Sequence, residues 1–189
     1  KEVTVSWQSV LREQPDIKDV TDEKESYAVM GLSSDALMAK LFPQLSAERG
    51  QELFELCGVA ERKYLREHGG KLYPDVEETL SALSGKLPLF IVSNCGTGYI
   101  ETFLEAHRLA AYFKDFESFG GTRRPKSENI ALVTERNGLR APVYVGDTQW
   151  DYEHATAAGV PFIFAAYGFG DVKNTVSIQN IRELIKQIE

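Results

Sequence analysis

Apolar positions along the chain follow two regimes that meet near residue 70. Before that point they recur at helical spacing. Val3, Trp7, Val10 and Leu11 form one stripe, which Gln14-Pro15-Asp16 brings to an end. A second short helix is expected over residues 25–30, ahead of Gly31. Ser33-Ser34-Asp35 can cap a third, with Leu37, Met38, Leu41 and Phe42 as its buried face and Pro43 as its stop. The longest helix is expected over 46–67, carrying Leu53, Phe54, Leu56, Val59, Tyr64 and Leu65, and it frays at His68-Gly69-Gly70. No strand pattern occurs in this part, so residues 1–70 read as a small all-helical unit.

From Tyr73 onward, short apolar runs alternate with helical stripes. Pro74-Asp75 opens a helix over 76–84, with Val76, Leu80 and Leu83 inward. Pro88-Leu89-Phe90-Ile91-Val92 is continuously apolar, as a parallel strand covered on both faces would be. A turn over 93–98 leads into a helix over 99–107. A short strand is expected over 116–119, closed by Gly120-Gly121, and a helix over 126–137, closed by Gly138. Val143-Tyr144-Val145 then reads as a buried strand ended by Gly146, followed by a helix from Tyr152 that stops at Gly159. Pro161-Phe162-Ile163-Phe164-Ala165 is a further strand. A last helix is expected over 177–188, with Ile178, Ile181, Leu184, Ile185 and Ile188 inward. Strands alternating with ten-residue helices specify an α/β fold with a doubly wound parallel sheet over residues 71–189.

Composition narrows the function more than the fold. The chain has 189 residues, 43% of them hydrophobic and 26% charged, enough for one core plus a small added unit. A net charge of -7 argues against a general nucleic-acid or membrane-surface binder. Small anionic substrates stay compatible with it, because a local metal and a lysine can override the global field. Cys57 and Cys95 make no disulfide framework and no metal-type spacing, so a reducing cytoplasm is the simplest compartment. No apolar run reaches membrane-span length. The sequence starts at Lys1 without an initiator Met, so the lack of a targeting signal carries no weight.

Candidate chemistry gathers where strands end, the usual position of ligands in open α/β sheets. Asp147 and Asp151 follow the strand that Gly146 ends, and the four-residue spacing lets both face one crevice. Two crowded acids repel unless a cation neutralises them, and a hard ion held by oxygens, Mg²⁺, suits them. Taken alone, the same spacing also fits a capping Asp beside a solvated one. Ser93-Asn94 follows the apolar strand at 88–92, in a Gly-rich turn whose hydroxyl and N–H groups suit a phosphoryl oxygen. A serine there can equally start the turn or cap the helix. Lys126 stands at a helix start, where the dipole disfavours a cation unless something anionic is near. Taken together, a hydroxyl, an ammonium and a metal-binding acid pair around one crevice stabilise charge on a transferring phosphoryl group. The order Ser, Lys, Asp-x-x-x-Asp is opposite to that of two-component receiver domains.

On these residues the chain resembles the haloacid dehalogenase superfamily of phosphatases, in particular its phosphoglycolate phosphatase-like branch. Ile91-Val92-Ser93-Asn94 resembles the second motif of that family, Lys126 the third, and Gly146-Asp147-Thr148-Gln149-Trp150-Asp151 the fourth. Tyr73-Pro74-Asp75-Val76 resembles the joint between helical cap and core. The resemblance implies a Rossmann-like core with residues 1–70 as the cap. It implies that Ser93, Asn94 and Lys126 hold the phosphate, that Asp147 binds Mg²⁺ directly, and that Asp151 does so directly or through water. The implied activity is Mg²⁺-dependent hydrolysis of a small phosphorylated metabolite through an aspartyl-phosphate, by a monomer or homodimer that binds neither nucleic acid nor membrane. A phosphomutase of the same superfamily, or a non-catalytic protein on this fold, is the alternative. The Asp-x-Asp motif that carries the family's nucleophile does not occur, and Asp16, Asp19, Asp22 and Asp35 are poor substitutes for it. Upstream residues ending in such a strand are therefore expected, lying between the strands that precede Ser93 and Asp147.

Overall fold

The fold is described from a computed structural model of residues 2–18 and 22–188; Asp19 and the side chains of Val3 and Ile188 lie outside what it describes. The amino-terminal part comprises α1 (Glu2–Leu11), α2 (Glu23–Tyr27), α3 (Ser34–Leu41) and α4 (Ala47–His68). Two of these starts are set by capping residues. Asp22 and Glu25 form a reciprocal capping box on α2, and the Ser46 hydroxyl accepts the Arg49 N–H on α4. The apolar stripes of α1, α3 and α4 meet in one cluster built on Trp7, Leu11, Met38, Phe42, Leu53 and Cys57. Leu11 and Leu53 are fully buried there, each contributing about 1.5–3 kcal/mol relative to exposure. Leu53→Ala would open a cavity in this cluster at about 2–5 kcal/mol.

The rest of the chain alternates strand and helix. Its elements are α5 (Val76–Ser84), β1 (Leu89–Ser93), α6 (Tyr99–His107), β2 (Phe113–Ser118), α7 (Phe119–Thr122), α8 (Lys126–Arg136), β3 (Tyr144–Gly146), α9 (Gln149–Ala157), β4 (Phe162–Ala165), β5 (Val176–Ile178) and α10 (Leu184–Ile188). Every ladder is parallel: β1 pairs β2, and β4 lies between β3 and β5. Among the described residues the two ladders share no strand pairing. A side chain spans them instead, the Tyr144 hydroxyl donating to the Val92 carbonyl at 2.8 Å. The carboxyl ends of β1 and β3 both open toward the helical part, where a cavity of about 380 Å³ separates the two.

Two expectations are corrected. The helix expected over 177–188 begins later, because β-branched Val176 and Ile178 extend the sheet as β5, and the Ile178 carbonyl accepts the Ala166 N–H. Ile178, Ile181, Leu184 and Ile185 do share one cluster, with Leu83 and Ile163. Their spacing misleads because strand, turn and helix all present apolar residues to the same layer. The strand expected over 116–119 instead spans Phe113–Ser118. Phe119 opens a helical turn, since the Ser118 hydroxyl accepts the Gly121 N–H and ends the strand.

Candidate functional site

Lys126 and Asp151 form the buried centre of the cavity floor. Nζ of Lys126 lies 2.6 Å from Oδ1 of Asp151, with the two residues only 6% and 4% exposed. Lys126 is delivered by the first turn of α8, after Pro125 stops the preceding loop from continuing as helix. Asp151 is delivered by α9, whose N-cap is Thr148. The Asp151 N–H donates to Thr148 Oγ1 at 3.1 Å, and the Thr148 hydroxyl returns a bond to Asp151 Oδ2 at 2.8 Å. The backbone N–H groups of Asp147 and Thr148 also donate to that oxygen, each at 3.1 Å. Thr-x-x-Asp is the short-acid form of a capping box, a local signal for Thr148 that the expected helix start at Tyr152 overlooks.

The Asp147 carboxyl stands apart from this network, which its backbone N–H joins. Its Oδ2 accepts the Phe169 N–H at 2.9 Å, and its backbone carbonyl accepts the Gly170 N–H at 2.9 Å. Oδ1 has no protein partner among the described residues. Gly168 presses against this carboxyl, so that a Cβ at 168 would overlap the Asp147 side chain. Phe169, Gly168 and Gly170 come from the segment after β4, more than twenty residues along the chain, and no local pattern marks them.

Electrostatics separate the two acids. Burial raises the Asp147 carboxyl above the ordinary range; the Phe169 N–H opposes this and the Asp151 charge adds to it. Burial pushes Asp151 the same way, but the Lys126 charge and the hydrogen bonds from Lys126 and Thr148 outweigh it, and the carboxyl is held below the ordinary range. Burial opposes the charge on Lys126, yet Tyr144 and Asp151 together hold its ammonium above the usual value. Because burial pushes the Tyr144 phenol up to about 12, it is neutral near pH 7 and the carboxylate is the charged partner that matters there.

The opposite wall comes from β1. Ser93 Oγ accepts the Cys95 N–H at 3.2 Å, and the side chain borders the cavity. Asn94 is buried and donates from Nδ2 to the Gly31 carbonyl at 2.7 Å, tying this wall to the helical part. Its Oδ1 is buried and has no partner among the described residues. Gly31 has φ +86 and packs beside the Thr148 hydroxyl, so the loop after α2 touches both strand ends. Ser93, Asn94, Lys126, Asp147 and Asp151 thus line one cavity, together with Trp7, Phe54 and Glu61 from the helical part.

Mg²⁺ takes six oxygens, several of them usually from water and substrate. Asp147 fits as a direct ligand, with one oxygen anchored and the other unengaged. Asp151 fits better through water than directly, because Oδ2 already accepts three donors and Oδ1 accepts the Lys126 ammonium. Among the described residues no group of three or more His, Cys, Asp or Glu side chains converges to hold a metal.

A family model described as haloacid dehalogenase-like hydrolase matches residues 2–165. Among curated proteins, a phosphoglycolate phosphatase of Escherichia coli strain K12 is 39% identical over 111 residues, covering 54% of this chain and 43% of that protein. One from Salmonella typhimurium is 34% identical over 110 residues, with the same coverage. The chain therefore aligns with less than half the length of these relatives. Among solved structures, a haloacid dehalogenase-like family hydrolase from Streptococcus pneumoniae superposes with TM-score 0.75 at 18% identity, covering 99% of this chain and 90% of that one. A HAD-superfamily hydrolase of subfamily IA from Geobacter sulfurreducens does so with TM-score 0.68 at 21% identity, covering 100% and 89%. At these identities the structural likeness speaks for the fold.

Proposed function

Because the chain belongs to the haloacid dehalogenase-like hydrolases, we propose that it serves a Mg²⁺-dependent phosphatase activity on a small phosphomonoester, with the helical part as its cap. The observation that carries this reading is the buried Lys126–Asp151 pair beside an Asp147 oxygen with no protein partner, facing Ser93 across one cavity. A lysine has three N–H donors; Asp151 uses one and the Tyr144 hydroxyl oxygen lies against the ammonium, which leaves a donor for a phosphoryl oxygen. The Ser93 hydroxyl donates to the same group from the other wall. Asp151 positions Lys126 and keeps it charged. Asp147 would hold the metal ion directly and Asp151 through water; when bound, the ion supplies positive charge against the phosphoryl oxygens.

In this reading the ester P–O bond breaks as a P–O bond to an aspartate forms, and the departing oxygen leaves protonated as the alcohol. Water then cleaves the acyl phosphate to inorganic phosphate and restores the carboxylate. The acceptor is the Asp-x-Asp aspartate of the family resemblance, a motif these 189 residues do not contain. The curated relatives are phosphoglycolate phosphatases, which makes 2-phosphoglycolate a reference substrate.

The test is phosphate release from an aryl phosphate and from 2-phosphoglycolate by the full-length polypeptide, with and without Mg²⁺. Asp147→Asn is expected to lower Mg²⁺-dependent turnover by about two orders of magnitude or more, as removal of a charge-stabilising group does. Turnover by this variant within a few-fold of the parent at low Mg²⁺ would overturn the assignment. Binding without turnover in the parent protein would favour the non-catalytic alternative.

A further inference from the structure

The cavity carries a charged group on its helical wall that the proposed phosphate chemistry does not use. Glu61 projects from α4, and its Oε2 accepts the Trp7 indole N–H at 3.0 Å. Its Oε1 has no protein partner among the described residues. The carboxyl lines the cavity whose walls also carry Trp7, Phe54, Leu37 and Leu41 from the helical part and Tyr99 and Cys95 from the other, and its charge acts on Tyr99 and Cys95. Among the described residues lining this cavity, Lys126 is the only cation, and it is already committed to Asp151 and to the phosphoryl group. Arg62, next along α4, lines an adjoining cavity with Thr97 and Arg123. A substrate seated on Ser93 and Lys126 therefore finds no cation on this wall for a second anion. It meets a carboxylate with a free oxygen, in an otherwise apolar setting.

We infer that Glu61 selects the alcohol part of the substrate, and that this part carries a hydrogen-bond donor, a hydroxyl or an ammonium, rather than a second carboxylate. The inference rests on the phosphatase reading above and narrows its substrate class. A donor on the alcohol would satisfy Oε1, whereas a carboxylate would meet a like charge in a desolvated cavity, where repulsion is strong. The Trp7 bond fixes the carboxyl in place, so recognition does not require ordering a mobile side chain. Burial raises the Glu61 carboxyl above the ordinary range, with the Trp7 bond and Arg62 opposing, in keeping with a group partly removed from water.

A purely structural role, stapling α1 to α4 through Trp7, makes a different prediction for Glu61→Gln. The amide oxygen still accepts the Trp7 N–H, while the other end now offers a donor to the cavity. The experiment measures kcat/KM of the full-length protein with Mg²⁺ for phosphoethanolamine, glycerol 1-phosphate and 2-phosphoglycolate. The parent is expected to prefer at least one of the first two over 2-phosphoglycolate by about ten- to hundredfold, the range of a charge-assisted hydrogen bond. Glu61→Gln is expected to reduce that ratio at least about tenfold, mainly through KM. Preference for phosphoethanolamine alone identifies the donor as an ammonium; preference for glycerol 1-phosphate identifies it as a hydroxyl. A parent that prefers 2-phosphoglycolate, or a ratio unmoved by Glu61→Gln, overturns the inference while leaving the phosphatase reading intact. If the parent hydrolyses none of these esters nor an aryl phosphate, the phosphatase reading fails. The same ligands are then titrated by tryptophan emission, where tighter binding of 2-phosphoglycolate, or equal binding of all three esters, again overturns the role of Glu61.

Discussion

Lys126 and Asp151 are 2.6 Å apart, both almost wholly buried, and 25 residues separate them in the chain. Removing both charges from such a pair can be nearly neutral, but removing one leaves the other buried and uncompensated, at about 3–5 kcal/mol. Lys126→Met and Asp151→Asn should each lower the unfolding free energy by that order, and the double variant should lose less than the sum. Urea titration of the four proteins gives the coupling; additive losses would show that the two charges stabilise the fold independently.

Thr148 links the helix start to the acid. Thr148→Ala removes the acceptor for the Asp151 N–H and the donor to Asp151 Oδ2, at about 1 kcal/mol for the lost cap. Thr148→Ser keeps both bonds and should retain most of the stability. A proposed effect on activity follows from the same geometry: with Asp151 less constrained, Thr148→Ala should lower kcat more than it raises KM.

Gly168 is predicted to be intolerant of any side chain. A Cβ there would overlap both the Asp147 carboxyl and its Cβ, so rotating the carboxyl alone cannot clear it and the acid has to shift from its place. Gly168→Ala should therefore weaken Mg²⁺ activation by at least about tenfold, read as a rise in the metal concentration giving half-maximal rate. An unchanged Mg²⁺ dependence would mean that the Asp147 oxygen facing the cavity does not bind the ion.

Asp115 supplies a pH test away from the cavity. Arg136 grips its carboxylate through Nε and Nη2 at 2.6 and 2.8 Å, and Asn137 adds a bond at 2.6 Å. Burial raises this carboxyl, but the Arg136 and Asn137 bonds outweigh that and depress it below the ordinary range. A carboxyl depressed in the folded state contributes stability above its unfolded pKa of about 4, and loses it as pH falls through the folded value. Asp115→Asn should thus cost about 1 kcal/mol near pH 7, given the partial exposure of the pair. The gap between parent and variant should close as pH falls well below 4. Thermal unfolding of both proteins from pH 7 to pH 2.5 checks this, and a gap that stayed constant would remove the ion pair from the account.

Local periodicity by itself determined the element types: helical stripes up to residue 70, then apolar runs ended by Gly or Ser-Asn. It also placed Ser93, Lys126, Asp147 and Asp151 at strand and helix ends, because strand-to-helix turns are local events that short stretches encode. The pairing of Lys126 with Asp151, the Phe169 N–H on Asp147, and the Glu61 carboxyl beside Trp7 depend on contacts across 22 to 54 residues. No local spacing carries that information. β5 belongs to the same class: Val176–Ile178 is strand only because β4 offers it a free edge, whereas its apolar spacing also suits a helix. Which carboxylate oxygen is engaged and which is open was likewise a tertiary matter. It was decided by whatever N–H groups the distant segments after β4 and around Thr148 brought to a buried acid, since a desolvated oxygen takes the donors that packing supplies.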